Sequence, residues 1–284
     1  MSLRSSPRSL ARQTMAGLPL AAAFVALFWP TFLWMAERFD ARSSFYSHGW
    51  AVPLASAWLV WQRRSALRGL PLQPDARGLW LLIPAVSIHV LATWWRLGFV
   101  SGFAMIAAVW GLVWMCWGGA ALQVLRFPLL FLLFMVPLPG ILLIATSFRM
   151  KLLAASLATQ VLHGLGLAAV QAGSTIRVPG ASVIVDDTCS GLRSLISLLA
   201  LATLWTALLP AAATWRQKLL VVAASIPIAL VANIARIVVL VLLAAVYGPK
   251  AAEGFLHYGS GFVVFGVALA TLVWITKRLV STAS

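Results

Sequence analysis

Apolar residues run in long blocks, and polar residues gather in short stretches between them. Read from the N-terminus, the blocks predict membrane-crossing helices at about 17–35, 45–61, 78–95, 97–117 and 121–139. Three more follow at about 190–209, 218–246 and 257–275. All but the unusually long 218–246 are close to the roughly 20 residues a helix needs to cross a bilayer. The interruptions are rich in Gly, Pro and charge, as in "RRSALRGLPLQPDARG" after the second block, which reads as a loop.

Residues 141–170 break the pattern. Arg149, Ser156, Gln160 and His163 recur at steps of seven, four and three, which puts a polar stripe on one helical face. The expected element is an amphipathic helix at the outer interface; the alternative is a further full span with a polar seam. Residues 171–188 change character again. "STIRVPGASVIVDD" alternates, is β-branched and is interrupted by Pro179-Gly180, which predicts a short hairpin-like loop. The expected fold is thus an all-α polytopic membrane protein: about eight spans, an outer-side amphipathic helix and a β-hairpin-like loop. Residues 1–284 form one integral membrane domain with a basic N-terminus at 1–16.

Composition changes this picture little. The chain is 62% hydrophobic and 10% charged, against about a quarter charged in soluble domains. The net charge of +15 raises the question of nucleic acid, but its placement answers it. Arg4, Arg8 and Arg12, then Arg63, Arg64, Arg68 and Arg77, then Arg216 and Lys218, then Lys277 and Arg278 lie between blocks or at their ends. That is the signature of cytoplasmic loops, so lipid is the expected partner and nucleic acid is not. Both termini are expected in the cytoplasm, and charge parity puts 141–188 outside.

Candidate chemistry sits in the last three spans. "DDTCSGLRS" places Cys189 at the outer mouth of a span, where Asp187 or Thr188 can cap the helix and the dipole favours a thiolate. Arg193 follows one turn later and adds positive potential. In "ALVANIARIVVL", Asn233 and Arg236 share a face of an otherwise apolar run; such an arginine costs about 2.5–3.5 kcal/mol to insert and normally faces the bundle interior. His257 opens the last block, with Gly259 and Gly261 behind it. Thiol, guanidinium and imidazole together supply a nucleophile, an oxyanion stabiliser and a proton carrier. His89 reads as a packed core residue, whereas His48 in "FYSHGW" and His163 lie on the outer side. Their spacings match no known metal set, and no cofactor is expected. A transporter or lipid flippase with an arginine-lined path, or an export scaffold, are the alternatives.

The order "CSGLRS", "NIAR" and a histidine opening the last span resembles the exosortase/archaeosortase family. "FYSHGW" and "FPLLFLLFMVPLP" are similar to it as well, so the resemblance covers about 45–275. It implies a membrane cysteine transpeptidase, in a form without an extra C-terminal soluble domain, whose catalytic residues fall on Cys189, Arg236 and His257 in spans 189–276. It further implies exported protein substrates with a C-terminal motif such as Pro-Glu-Pro, a transmembrane helix and a basic tail. They are cut outside the cytoplasmic membrane and passed to an acceptor. Arg193, Arg177 and Arg149 are candidates to pair with a substrate glutamate; Gln160, His163 and His48 are candidates for the rim of the site.

Overall fold

The computed structural model describes residues 18–41, 44–71, 73–186, 189–210, 212–248 and 255–281. The side chains of 255–258 and 280–281 are outside that description. Helices dominate: α1 (Leu18–Leu27), α2 (Trp29–Asp40), α3 (Ala51–Gln62), α4 (Arg64–Arg68), α5 (Leu79–Trp94), α6 (Gly98–Phe131), α7 (Gly140–Gly164), α8 (Leu192–Thr206), α9 (Trp215–Tyr247) and α10 (Phe255–Ser281). Three short strands, β1 (Val170–Ala172), β2 (Thr175–Val178) and β3 (Ala181–Ile184), form an antiparallel sheet in sequence order. The expected all-α polytopic membrane fold is therefore observed, with the expected hairpin present and extended by a third strand.

The count of spans is lower than eight. Among the described residues, five helices are long and apolar enough to cross a membrane, or six if α1 and α2, bent by 62° at Phe28, make one span. The apolar blocks at 45–61 and 190–209 are met by helices of only 12 and 15 residues, α3 and α8. The blocks at 97–117 and 121–139 belong to one helix, α6, interrupted at Gly118 (φ 83°, ψ 176°). Straight, that segment would run about 57 Å from Gly98 to Met135, nearly twice the roughly 30 Å hydrocarbon layer. The break falls where the sequence divides the two blocks. Finally α7, expected to lie at the interface, is itself of spanning length and apolarity.

The chain folds as two compact units, residues 1–40 with 59–137, and residues 41–58 with 138–284. In the first, α5 packs antiparallel to the first arm of α6 through glycines. A Cβ on Gly78 would fall 2.4 Å from the Met115 nitrogen, and one on Gly111 would fall 2.9 Å from the Leu82 nitrogen. Small residues are the means by which membrane helices bring their backbones together. Gly78→Ala is therefore expected to force the pair apart and cost about 1–3 kcal/mol, read as a lower thermal midpoint in detergent. The Gly118 break frees the Met115 carbonyl, which accepts the Asp75 N–H at 3.1 Å, and the Asp75 carboxylate accepts from the Trp114 indole. His89 is buried with both ring nitrogens bonded: Nδ1 to the Ser101 hydroxyl at 2.7 Å, and Nε2 to the Leu27 carbonyl at the α1–α2 bend. It is the packed core histidine its sequence context suggests.

The second unit has two cores. Ala154, Ala155, Ala158 and Leu162 of α7 pack with Ile176, Val178 and Val185 of the sheet segment and with Ile237, Val238 and Val241 of α9. Leu198, Val221, Ala229, Ala268 and Leu272 join α8, α9 and α10. Thr214 begins α9 with a reciprocal capping box to Gln217, the T-x-x-Q pattern that satisfies two orphan donors. The Gln217 amide also donates to the Leu279 carbonyl at the end of α10. The start of α9 thereby meets the end of α10, and the two run antiparallel.

Candidate active site

The sheet delivers the chain to Cys189. Beyond β3, the Val185 N–H bonds to the Ser174 carbonyl, and Val185 is buried. Asp186 then turns the chain: its Oδ1 and its carbonyl both accept the Cys189 N–H, at 3.0 and 3.1 Å. The helix does not begin at Cys189, as the sequence suggests. α8 starts at Leu192, after Gly191 in the left-handed region at φ 80°. Asp187 and Thr188, the expected caps, lie outside the described residues. Ser190 performs a related task, accepting the Leu192 N–H at 3.3 Å.

The Cys-Ser-Gly turn is fastened to α9 by Asn233. Its side-chain amide donates to the Cys189 carbonyl at 2.9 Å, and Asn233 is 3% exposed. A Cβ on Gly191 would lie 2.9 Å from the Asn233 side chain. This position therefore requires glycine twice, for its φ and for its space. Gly191→Ala is expected to cost about 2–4 kcal/mol from left-handed strain and overpacking together, measurable by thermal unfolding. It also breaks the bond that positions Cys189. The cysteine is 3% exposed, packed among Ile176, Val185, Ile237 and Val241.

Arg236 lies three residues after Asn233 on α9 and is 8% exposed. Its Nε donates to the Ser260 hydroxyl of α10 at 3.2 Å, and its guanidinium is within 4 Å of the space above Gly261. The pairs Gln217–Leu279 and Arg236–Ser260 keep one antiparallel register. From Trp215 to Arg236 the helix rises about 32 Å, close to the roughly 30 Å hydrocarbon layer. The arginine thus lies about one hydrocarbon thickness along the helix from the capped end of α9. The remaining turns, to Tyr247, include Ile237, Val238 and Val241, which the sheet and α7 cover. His257 lies one helical turn before Gly261 on α10; its side chain is outside the described residues.

A narrow cleft opens where α8, α9 and α10 meet, with an accessible volume of about 10 Å³, room for one water. Its polar lining is Ser194, Asn233 and Arg236, and its walls include Leu198, Val264 and Phe265. Cys189 is not among the lining residues. Half-buried Arg193 interacts electrostatically with both Arg236 and Asp186. One turn further along α8, the Ser197 hydroxyl bonds His48 Nδ1 at 3.2 Å, and the His48 ring stacks on Tyr46, whose hydroxyl accepts the Leu138 N–H. The structure thus gathers Cys189, Asn233, Arg236, Arg193 and, along α8, His48. It places the other candidates elsewhere: Arg149 and Gln160 are exposed on α7, Arg177 is exposed on β2, and His163 Nε2 bonds the Ala169 carbonyl at the α7–β1 corner. The sequence reading did not single out Ser260, Ser194 or Gly191. "HYGSG" holds the only signal for the first, a hydroxyl between two glycines on a helix opposite an arginine.

The sequence profile of the family described as transmembrane exosortase matches residues 34–274. No curated protein and no solved structure matches.

Proposed function

Because the chain belongs to the transmembrane exosortase family, we propose that it is a cysteine peptidase or transpeptidase of membrane-anchored exported proteins. Its substrates carry a C-terminal motif, a transmembrane helix and a basic tail, and it cuts them at the outer face of the cytoplasmic membrane. The Cys189 thiolate attacks the scissile carbonyl carbon. The resulting oxyanion is held by Arg236, collapse expels the amine of the C-terminal fragment, and a thioester joins the N-terminal fragment to Sγ. An acceptor amine or water then attacks the thioester and releases the thiolate. His257 carries the proton to the leaving amine and takes one from the acceptor.

The observation that carries this reading is the Asn233 amide bound to the Cys189 carbonyl. It ties the nucleophile's own turn to the helix that presents Arg236 one turn away, so thiol and guanidinium are positioned by the same few residues. The outer location is supported by the basic clusters at Arg216/Lys218 and Lys277/Arg278, at the opposite end of α9 and α10 from Arg236.

The test is capture of the intermediate. Incubated with a tagged substrate of motif, helix and basic tail in the absence of acceptor amines, the protein is expected to form an adduct on Cys189. The adduct should be released by hydroxylamine and have the mass of the N-terminal fragment. Cleavage of that substrate with the label on another residue, or with no thiol adduct under single-turnover quenching, would refute the assignment.

A further inference from the structure

The second unit holds an open sheet edge aimed at the cysteine turn. Among the described residues, strand β3 pairs only with β2, along one side. The register joins Ile176 to Val183 and Val178 to Ala181, and the Val185 N–H continues it to the Ser174 carbonyl. Bonded and non-bonded pairs alternate along an antiparallel ladder. Ala181, Val183 and Val185 therefore direct their backbone groups to β2. Ser182 and Ile184 direct theirs outward, to the free edge. Their side chains stand on the exposed face, Ile184 at 66%. The opposite face is packed on α7 and α9, so the edge is held rather than left to fray. An unpaired edge of this kind is a template for another strand.

Its position gives the edge a use. Cys189 lies five positions after Ile184, no more than about 18 Å of chain even if fully extended. The intervening Val185 and Asp186 are both tied down, one to Ser174 and the other to the Cys189 N–H. An extended peptide lying along β3 therefore needs only a few more residues to bring a peptide bond to the thiol.

We propose that the free edge of β3 is the peptide-binding site: the segment of substrate beside its scissile bond adds to the sheet as a fourth strand, bonded to the backbone of Ser182 and Ile184. This rests on the transpeptidase reading above and names how that site takes its substrate. Main-chain pairing gives affinity with little demand on side chains. Only alternate residues of the added strand bond to β3, so a motif of the Pro-x-Pro kind fits with its prolines at the non-bonding positions. Pairing also spares the substrate backbone an unsatisfied stay beside lipid, where each bare N–H or C=O is costly.

The experiment is disulfide cross-linking in membranes, with both native cysteines replaced (Cys189→Ser and Cys116→Ala) and Ser182→Cys or Ile184→Cys added singly. The probe is a tagged polypeptide ending in a transmembrane helix and basic tail, with one cysteine walked through the residues that precede the helix. Cross-links are expected at every second probe position, at least about fivefold above the positions between. The best partner for Ile184→Cys should lie two residues from that for Ser182→Cys. Equal yields at successive positions, or no cross-link from a variant with an unchanged thermal midpoint, overturn the proposal. The readout needs no catalysis. Alternating cross-links, with no thioester trapped on the protein that keeps Cys189, would overturn the transpeptidase reading and leave the edge site standing; a thioester on that protein without alternation here would do the reverse.

Discussion

Cys189→Ala is expected to lower substrate processing by about 10³-fold or more, as removal of a covalent nucleophile does elsewhere, while the protein keeps its fold. The reason the fold survives is local. Two fastenings of this residue run through its backbone: the N–H to Asp186 and the carbonyl to Asn233. Alanine keeps them. What is lost is one sulfur from an apolar cluster, a small cavity worth about 1–2 kcal/mol at most. Cys189→Ser is expected to be as inactive, because a serine hydroxyl without a strong base is almost wholly protonated near neutral pH. It is also expected to be the less stable of the two, since its hydroxyl enters a site lined by Ile237 and Val241. Processing of a tagged substrate in membranes, read beside the thermal midpoint in detergent, decides the matter. A carrier or scaffold would work with either variant, so wild-type output from Cys189→Ala would remove the catalytic role.

The sequence made the hinges of this fold legible and misjudged its lengths. Gly118-Gly119 after a run of aromatics marks the break in α6, because glycine alone adopts φ 83° there without strain. Pro179-Gly180 and the β-branched alternation mark the β2–β3 turn for the same kind of reason. Hydropathy, however, reports where a chain is apolar and not where its helix begins. The block at 45–61 spends its first turn on the 3-10 segment Ser47–Trp50, and that at 190–209 spends its start on the Cys-Ser-Gly turn. Both end as helices too short to pass for spans. The stripe on α7 misled in a second way. Its polar residues suggested a helix lying at the interface, yet α7 is of spanning length and packs through Ala154, Ala155 and Ala158, whose small side chains let the sheet and α9 come close. At the site, the Asn233–Arg236 spacing pointed to a shared face of α9. No sequence signal points to the bond from Asn233 to a carbonyl 44 residues earlier, since a backbone acceptor leaves no mark on composition.

The second large effect is expected at Arg236, where activity and stability should part. A buried guanidinium among apolar helices costs about 2.5–3.5 kcal/mol to insert on the more lenient scales. Here a second guanidinium, Arg193, lies within electrostatic reach, and like charges close together add to that cost. The Ser260 hydroxyl offsets part of it, as a single charge-assisted hydrogen bond is worth about 1.5–3 kcal/mol. Arg236→Met keeps much of the side-chain length, removes the charge and suits lipid. The variant is expected to unfold at the same temperature as the wild type or higher, as when buried ionic groups give way to apolar ones. Processing should nevertheless fall by about 10²–10³-fold, the usual consequence of losing an oxyanion donor. Arg236→Lys separates charge from shape. It keeps the positive end but loses the planar fork whose Nε reaches Ser260, so it should recover little activity. If the arginine were instead a structural tie between α9 and α10, Arg236→Met would lower the thermal midpoint and leave the rate per folded molecule unchanged. That pairing of results would remove Arg236 from the chemistry.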